Sequence, residues 1–456
     1  MDPGLLLLLS NLLQLQSQVD PAAALISSPP SSLLSSSATP FLFFALTSVL
    51  SYASSTSSPS SSPSSQPLRL RRRSRSTSSS STSPPRPPSS SSLILSLPSD
   101  RIIFSMDPSA RDARFRSLYG LSYPVFASLL DQLLPLLPSL SLPLPPDQAL
   151  ALALSRLSRG LSSRALSRLL HPPLSASVVS RVTHALTRLL STRLYADYVK
   201  LPSHHRLLQS TSAFRDLSSL QNLAAVIASS PVRLRDSTDP SLRSPHRPFP
   251  AILLQVIADH RKIFLDACVR APGSSDPASH LRDSSLYRRL CHSDALREPS
   301  IQVGGHIVPP FIAGDPSFPI LSFLLTPFCS TSVVDRPAPA HKAFDAALAK
   351  ASAASVEPAI ALLKGRWKIL RNLNVGLDHA SQTVVACVVL HNFCQIAGEP
   401  EDDGKYLWRD PPETPQLVRP VDSERALNYA GETLRQVLAQ DLYDRQHRLS
   451  DGSTSR

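Results

Sequence analysis

The sequence predicts an α/β fold, a mixed sheet with flanking helices, behind a helical region and a long low-complexity arm. Three observations carry this expectation. Residues before 107 are dominated by Ser and Pro, apolar residues at helical spacing follow, and after residue 214 short Ile- and Val-rich runs precede further helices. The boundaries read as an arm over 1–106, a helical region over 107–214 and a mixed domain over 215–398. An acidic, proline-rich linker with one late helix fills 399–456.

The arm is expected to be disordered, because Ser-Pro tracts cannot bury enough surface to offset ordering entropy. Its apolar stretches, Leu5 to Leu9 and Phe41 to Leu50, fall short of a membrane span of about 20 residues. No membrane partner is therefore expected. Arg69, Arg71, Arg72, Arg73 and Arg75 form a basic cluster suited to nuclear import or DNA contact. The acid-free, Ser- and Arg-rich stretch from Ala22 to Leu97 also fits an organellar transit peptide. Nucleus is the expected location, an organelle the alternative. Across the chain 46 Lys and Arg face 34 Asp and Glu, a net charge of +12 that favours polyanionic partners such as DNA. Five scattered cysteines exclude a disulfide scaffold.

In the helical region, Phe115, Leu118, Tyr119, Tyr123, Phe126, Leu129, Leu130 and Leu133 mark one apolar helical face. Asp147 stands where an N-cap should, ahead of a helix over Gln148 to Ser158 that Gly160 ends. Ser162 or Ser163 can cap a short second helix closed by Pro172-Pro173, and Ser175 starts a third running to about Leu190. That layout fits a helix-turn-helix DNA reader, with Ser177, Ser180, Arg181 and His184 as groove contacts, or an ordinary three-helix unit.

Strands are predicted over Leu223 to Ile227, Ile252 to Ile257 and Ile263 to Val269, the last two joined by a hairpin-sized loop, and a weaker one over Pro309 to Ala313. His341 to Leu370, interrupted by Pro358, and Val384 to Gln395 read as helices, with a last one around Ser423 to Ala439. No nucleophile elbow or phosphate-cradling glycine loop is present. Cys387, His391 and Cys394 share a helix face among apolar neighbours, which reads as core rather than as a zinc site. Lys364, Arg366, Lys368 and Arg371 surround Trp367, either as DNA contacts or as a solvated face with Trp as its anchor.

Gly314-Asp315-Pro316-Ser317-Phe318-Pro319-Ile320 is followed by Leu324-Leu325-Thr326-Pro327-Phe328, Val356-Glu357 and Leu363-Lys364-Gly365-Arg366-Trp367-Lys368-Ile369-Leu370. Before them come Phe264-Leu265-Asp266, Pro272-Gly273-Ser274-Ser275-Asp276 and Asp283-Ser284-Ser285-Leu286-Tyr287, and after them Leu390-His391-Asn392-Phe393-Cys394. In this order the motifs resemble the transposase-derived nucleases of the Harbinger type and their plant relatives, the Antagonist-of-Like-Heterochromatin-Protein-like proteins.

The resemblance implies a ribonuclease-H-like sheet carrying three carboxylates that hold two divalent ions, Mg²⁺ or Mn²⁺, for phosphodiester cleavage. It makes Asp315 the second catalytic and metal-binding acid and Glu357 the third. The first acid of the family is replaced here by Ala228, and its following histidine by Pro231. A methyl group ligates no metal, so the expected cofactor is a divalent cation only if the residual pair still binds one. Two functions follow: a domesticated, degenerate nuclease domain acting as a DNA- or chromatin-associated interaction protein, or an active metal-dependent endonuclease in which Asp236 or Asp239 supplies the missing ligand. The resemblance also implies a companion DNA-binding protein.

Overall fold

The computed structural model describes residues 105–453, apart from 171–172, 236–241, 244–248, 270–275, 293–295, 297, 329–337, 402–406, 412–417 and 419–420. The arm, its basic cluster, Asp236 and Asp239 lie outside the described residues.

Helix α1 (Pro108–Tyr119) opens on Asp107, whose carboxylate accepts from the Ser109 and Ala110 amides, and closes on Gly120 in the left-handed conformation. It packs with α2 (Tyr123–Leu133) through edge-on contacts of Phe115 with Tyr123 and Phe126. Helix α3 (Pro146–Arg159) is buried from Ala149 to Ser158. Asp147 lies in its first turn rather than at the N-cap, because Pro145 and Pro146 already set the helical entry. Gly160, at φ +66°, ends α3 where a Cβ would lie 2.9 Å from the Lys368 carbonyl oxygen. Ser162 and Ser175 cap α4 (Ser163–Ser167) and α5 (Ala176–Arg193). Short α6 (Tyr195–Tyr198) and α7 (His204–Ser218) lead into the sheet.

The main sheet holds β1 (Leu223–Arg233), β2 (Ala251–Ala258), β3 (Phe264–Cys268), β6 (Phe311–Ala313) and β7 (Leu324–Leu325), in the order β3-β2-β1-β6-β7. β1 to β3 are antiparallel, whereas β6 and β7 join β1 in parallel. This mixed sheet with flanking helices is consistent with the ribonuclease-H-like arrangement. Strand β1 runs past the apolar stretch to Arg233, through Ala228 and Pro231. Proline is tolerated there because β6 pairs only as far as Val226, so no ladder partner waits on that side. Tyr195 closes the β3 edge, its hydroxyl bonding both the amide and the carbonyl of Ala267.

Helices α8 (Pro277–Asp283) and α9 (Ser285–His292) follow β3, then the hairpin of β4 (Ile301–Val303) and β5 (His306–Val308) turning on Gly304-Gly305, both at positive φ. The predicted helix from His341 is two: α10 (Pro339–Ala354) and α11 (Val356–Arg366), with Ser355 out of helical geometry. Pro358 causes the break, since its ring would clash with the carbonyl of Ala354 in a continuous helix. Helix α12 (Leu377–Ile396) and α13 (Arg425–Ser453) complete the chain. Residues of α1 to α3, β1, β2, α11 and α12 share one core cluster.

The family-like motifs have structural work. Asn392 on α12 accepts from the Phe264 amide at 2.8 Å and donates to the Phe264 and Tyr198 carbonyls. His391 Nε2 lies 2.8 Å from the Lys262 carbonyl oxygen, and Cys387 and Cys394 are buried, so this face is core as expected. Arg282 on α8 forks onto both Glu424 oxygens at 2.9 and 2.8 Å, and the Tyr287 hydroxyl donates to Oε1 at 2.6 Å. Burial pushes the Glu424 carboxyl up, but the bonds from Arg282 and Tyr287 outweigh it and hold its pKa below the ordinary value. A depressed folded pKa gives stability that is complete above the unfolded value and lost as pH falls through the folded one. The stability gap between wild type and Glu424→Gln, from urea melts at stepped pH, is expected to be constant at neutral pH and to close below about pH 4.5.

Candidate functional site

The site begins on β1. The parallel register ends at the pair of Val226 with Ala313, two residues before Ala228 on β1 and two before Asp315 on the other chain segment. The chain leaves β6 through Gly314, where a Cβ would crowd Ile227 at 3.1 Å, and Asp315 then starts a tight turn. Its Oδ1 accepts from the Ser317 amide at 2.7 Å. Burial raises the Asp315 pKa, and the bonds from Ser317 offset this only in part.

Glu357 arrives from the other side, in the first turn of α11, where the helix dipole favours a carboxylate. It is exposed, with Oε1 accepting from Ser352 Oγ at 2.9 Å. Lys364 Nζ of α11 donates to the Pro231 carbonyl at 2.7 Å, and beyond the helix the Leu373 amide donates to the Arg233 carbonyl at 2.8 Å. Of the sequence-predicted trio, Ala228 puts a methyl group at the first position, Asp315 follows the end of β6, and Glu357 bonds Ser352 of α10, with no hydrogen bond among the described residues linking Glu357 to Asp315.

Among the described residues, those at the expected positions do not fit a two-ion centre. A site of that kind needs oxygen donors on every side of the ions, and Ala228 offers none. Among the described residues, no group of three or more His, Cys, Asp or Glu side chains is placed to hold a metal.

Two residues along β1 the same strand face carries Ser230, which donates to Asp410 Oδ2 at 2.7 Å. Asp410 also takes the Lys364 ammonium, which is 1% exposed, while its Oδ1 accepts from Trp408 Nε1 at 3.2 Å. The Trp408 amide bonds the Ala361 carbonyl, and Arg371 lies over the indole at 4.6 Å. The segment around Trp408, read from sequence as linker, therefore docks on α11 and β1. Its only advance signal was a Trp-Arg-Asp triplet inside a proline-rich stretch.

The DNA-contact candidates separate. Lys364 is spent on Asp410 and Pro231. Arg366 is 2% exposed and donates to the Gly120 and Pro400 carbonyls. The sequence expectation that both meet DNA gives way to packing, because buried cations need fixed acceptors. Trp367 is fully buried, the anchor of the alternative reading. Lys368 and Arg181 are exposed, whereas His184 is half-buried against His379 of α12, ring centroids 3.8 Å apart. Helix α5, which carries Arg181 and His184, packs on α3 and α12.

Residues 242–392, which include Asp315 and Glu357 but start after β1, match the DDE superfamily endonuclease family. The chain is 25% identical over 265 residues to the protein ALP1-like of Arabidopsis thaliana, across 55% of this chain and 61% of that protein. The chain thus spans less than two thirds of that relative's length. No solved structure matches it significantly. Motif order, sheet and comparisons agree on a DDE superfamily endonuclease match over residues 242–392 and on a similarity to the ALP1-like protein.

Proposed function

We propose that this is a domesticated transposase-derived protein whose DDE site no longer cuts DNA, and that it acts in the nucleus as a DNA- or chromatin-associated interaction protein. Ala228 carries the reading. It stands on central strand β1, two residues past the last pair with the strand that leads to Asp315, and at the position where the family resemblance calls for a bridging carboxylate; an alkyl side chain can neither bridge ions nor orient a water. The net charge of +12 and the basic cluster at Arg69 to Arg75 support a polyanionic partner and nuclear entry. A companion DNA-binding or chromatin protein is the further partner implied by the Harbinger resemblance.

The test is plasmid nicking by the full chain in Mg²⁺ and in Mn²⁺, with duplex binding measured on the same preparation. Binding without nicking is expected. Nicking that disappears in Glu357→Ala establishes the active endonuclease instead.

A further inference from the structure

Between Asp147 and Asp197 the chain carries seven arginines and no carboxylate. One of them, Arg156 near the end of α3, is only 1% exposed. Its Nη2 reaches the Asn374 carbonyl at 3.2 Å and Oδ1 at 3.4 Å, while Nε and Nη1 meet no acceptor among the described residues. Burial alone drives its pKa down to about 10, with no opposing carboxylate. A desolvated cation in this state lacks a counter-charge.

Asn374 leads into α12, a helix of 20 residues whose N-cap, Gly376, brings no side-chain cap to the first turn. The amino end of a helix that long concentrates partial positive charge and N–H donors. At the same junction His184 of α5 stacks on His379 of α12. Desolvation, then His379 and Arg156, push the His184 pKa down to about 4, and only Asp378 acts in the opposite sense. Asp378 pairs with His379 Nε2 at 3.1 Å, its side chain 73% exposed. Buried guanidinium, paired imidazoles and a helix end without a side-chain cap come from α3, α5 and α12, with the solvent-facing carboxylate of Asp378 near them.

We propose that the junction of α3, α5 and the amino end of α12 is a phosphate-binding site. Arg156, His184, His379 and the first-turn amides of α12 surround one phosphate group, which supplies the acceptors Arg156 lacks. The phosphate belongs to a nucleic-acid backbone or is free in solution. Arg181, exposed one turn before His184, would take the next phosphate of a backbone. The backbone arm rests on the nucleic-acid reading above; the free-phosphate arm does not.

The experiment titrates the full chain with inorganic phosphate and, separately, with a fluorescein-labelled duplex, following heat, anisotropy and the histidine Cε1 resonances. Phosphate is expected to bind saturably, to raise the His184 pKa and to move the His379 Cε1 resonance. His379→Gln is expected to weaken it about tenfold, one charged hydrogen bond. Arg156→Met should do the same, and His379→Gln, at a half-exposed position, keeps the test readable if that variant fails to fold. Duplex binding that phosphate competes away and His379→Gln weakens assigns the site to a backbone; phosphate binding with duplex binding untouched assigns it to free phosphate. Absence of saturable phosphate binding, with imidazole resonances unmoved, overturns the proposal, and duplex binding that persists then leaves the nucleic-acid reading standing without it.

Discussion

Glu399→Ala is expected to cost about 3–5 kcal/mol of stability, the range for removing one partner of a buried ion pair. Glu399 Oε1 accepts from the Ser122 amide at 2.7 Å, so this distant carboxylate does what the acid of a capping box does, binding the N-cap residue's own amide at the start of α2. Its Oε2 accepts from Arg116 Nε at 3.1 Å and faces Arg366 at 3.8 Å, with the Glu399 and Arg366 side chains 1% and 2% exposed. Truncation removes the counter-charge of the buried Arg366 guanidinium and the acceptor of the Ser122 amide together. Glu399→Gln keeps the acceptor and loses the charge, so it should fall between wild type and alanine. Urea unfolding followed by tryptophan fluorescence measures both, since Trp367 lies in the adjoining core. A loss of under about 1 kcal/mol for alanine would show the network to be dispensable.

Asp410→Ala should cost about 3 kcal/mol for the same reason, because Lys364 is left buried without its carboxylate. The cost belongs to the stranded charge and not to the pair as such. Lys364→Met combined with Asp410→Leu should therefore return to within about 1 kcal/mol of wild type. A double variant as unstable as the single one would contradict this account and make the attraction itself the source of stability. The cycle also decides whether the Trp408 segment is held to α11 by charge or by the indole.

Elements set by local chemistry were legible in the sequence. Ser162, Ser175 and Gly160 end their helices where their side chains, or the lack of one, demand it, and the polar loop between β2 and β3 announced the hairpin. Long-range features were not. The predicted strand stopped at Ile227, and pairing with β2 on one side and the Lys364 contact on the other carry it on through Pro231. The β4–β5 hairpin left a signal in Gly304-Gly305, but its strands are too short for periodicity to show. At the site, Asp315 and Glu357 could be picked out by motif order. Asp410, Asn374 and His379 could not, since what matters in each is the residue met across the fold. Lys364 and Arg366 misled for a similar reason: a run of cations looks like surface until the acceptors that bury it are known.

The missing ligand at position 228 is tested most directly by titrating the full chain with Mn²⁺, alongside Ala228→Asp and Asp315→Asn. Wild type should show no saturable site below about 1 mM, and Ala228→Asp should gain one by restoring a third oxygen donor. Two tightly bound Mn²⁺ ions in wild type, lost in Asp315→Asn, would show that another side chain completes the centre and that this nuclease domain still holds its metals.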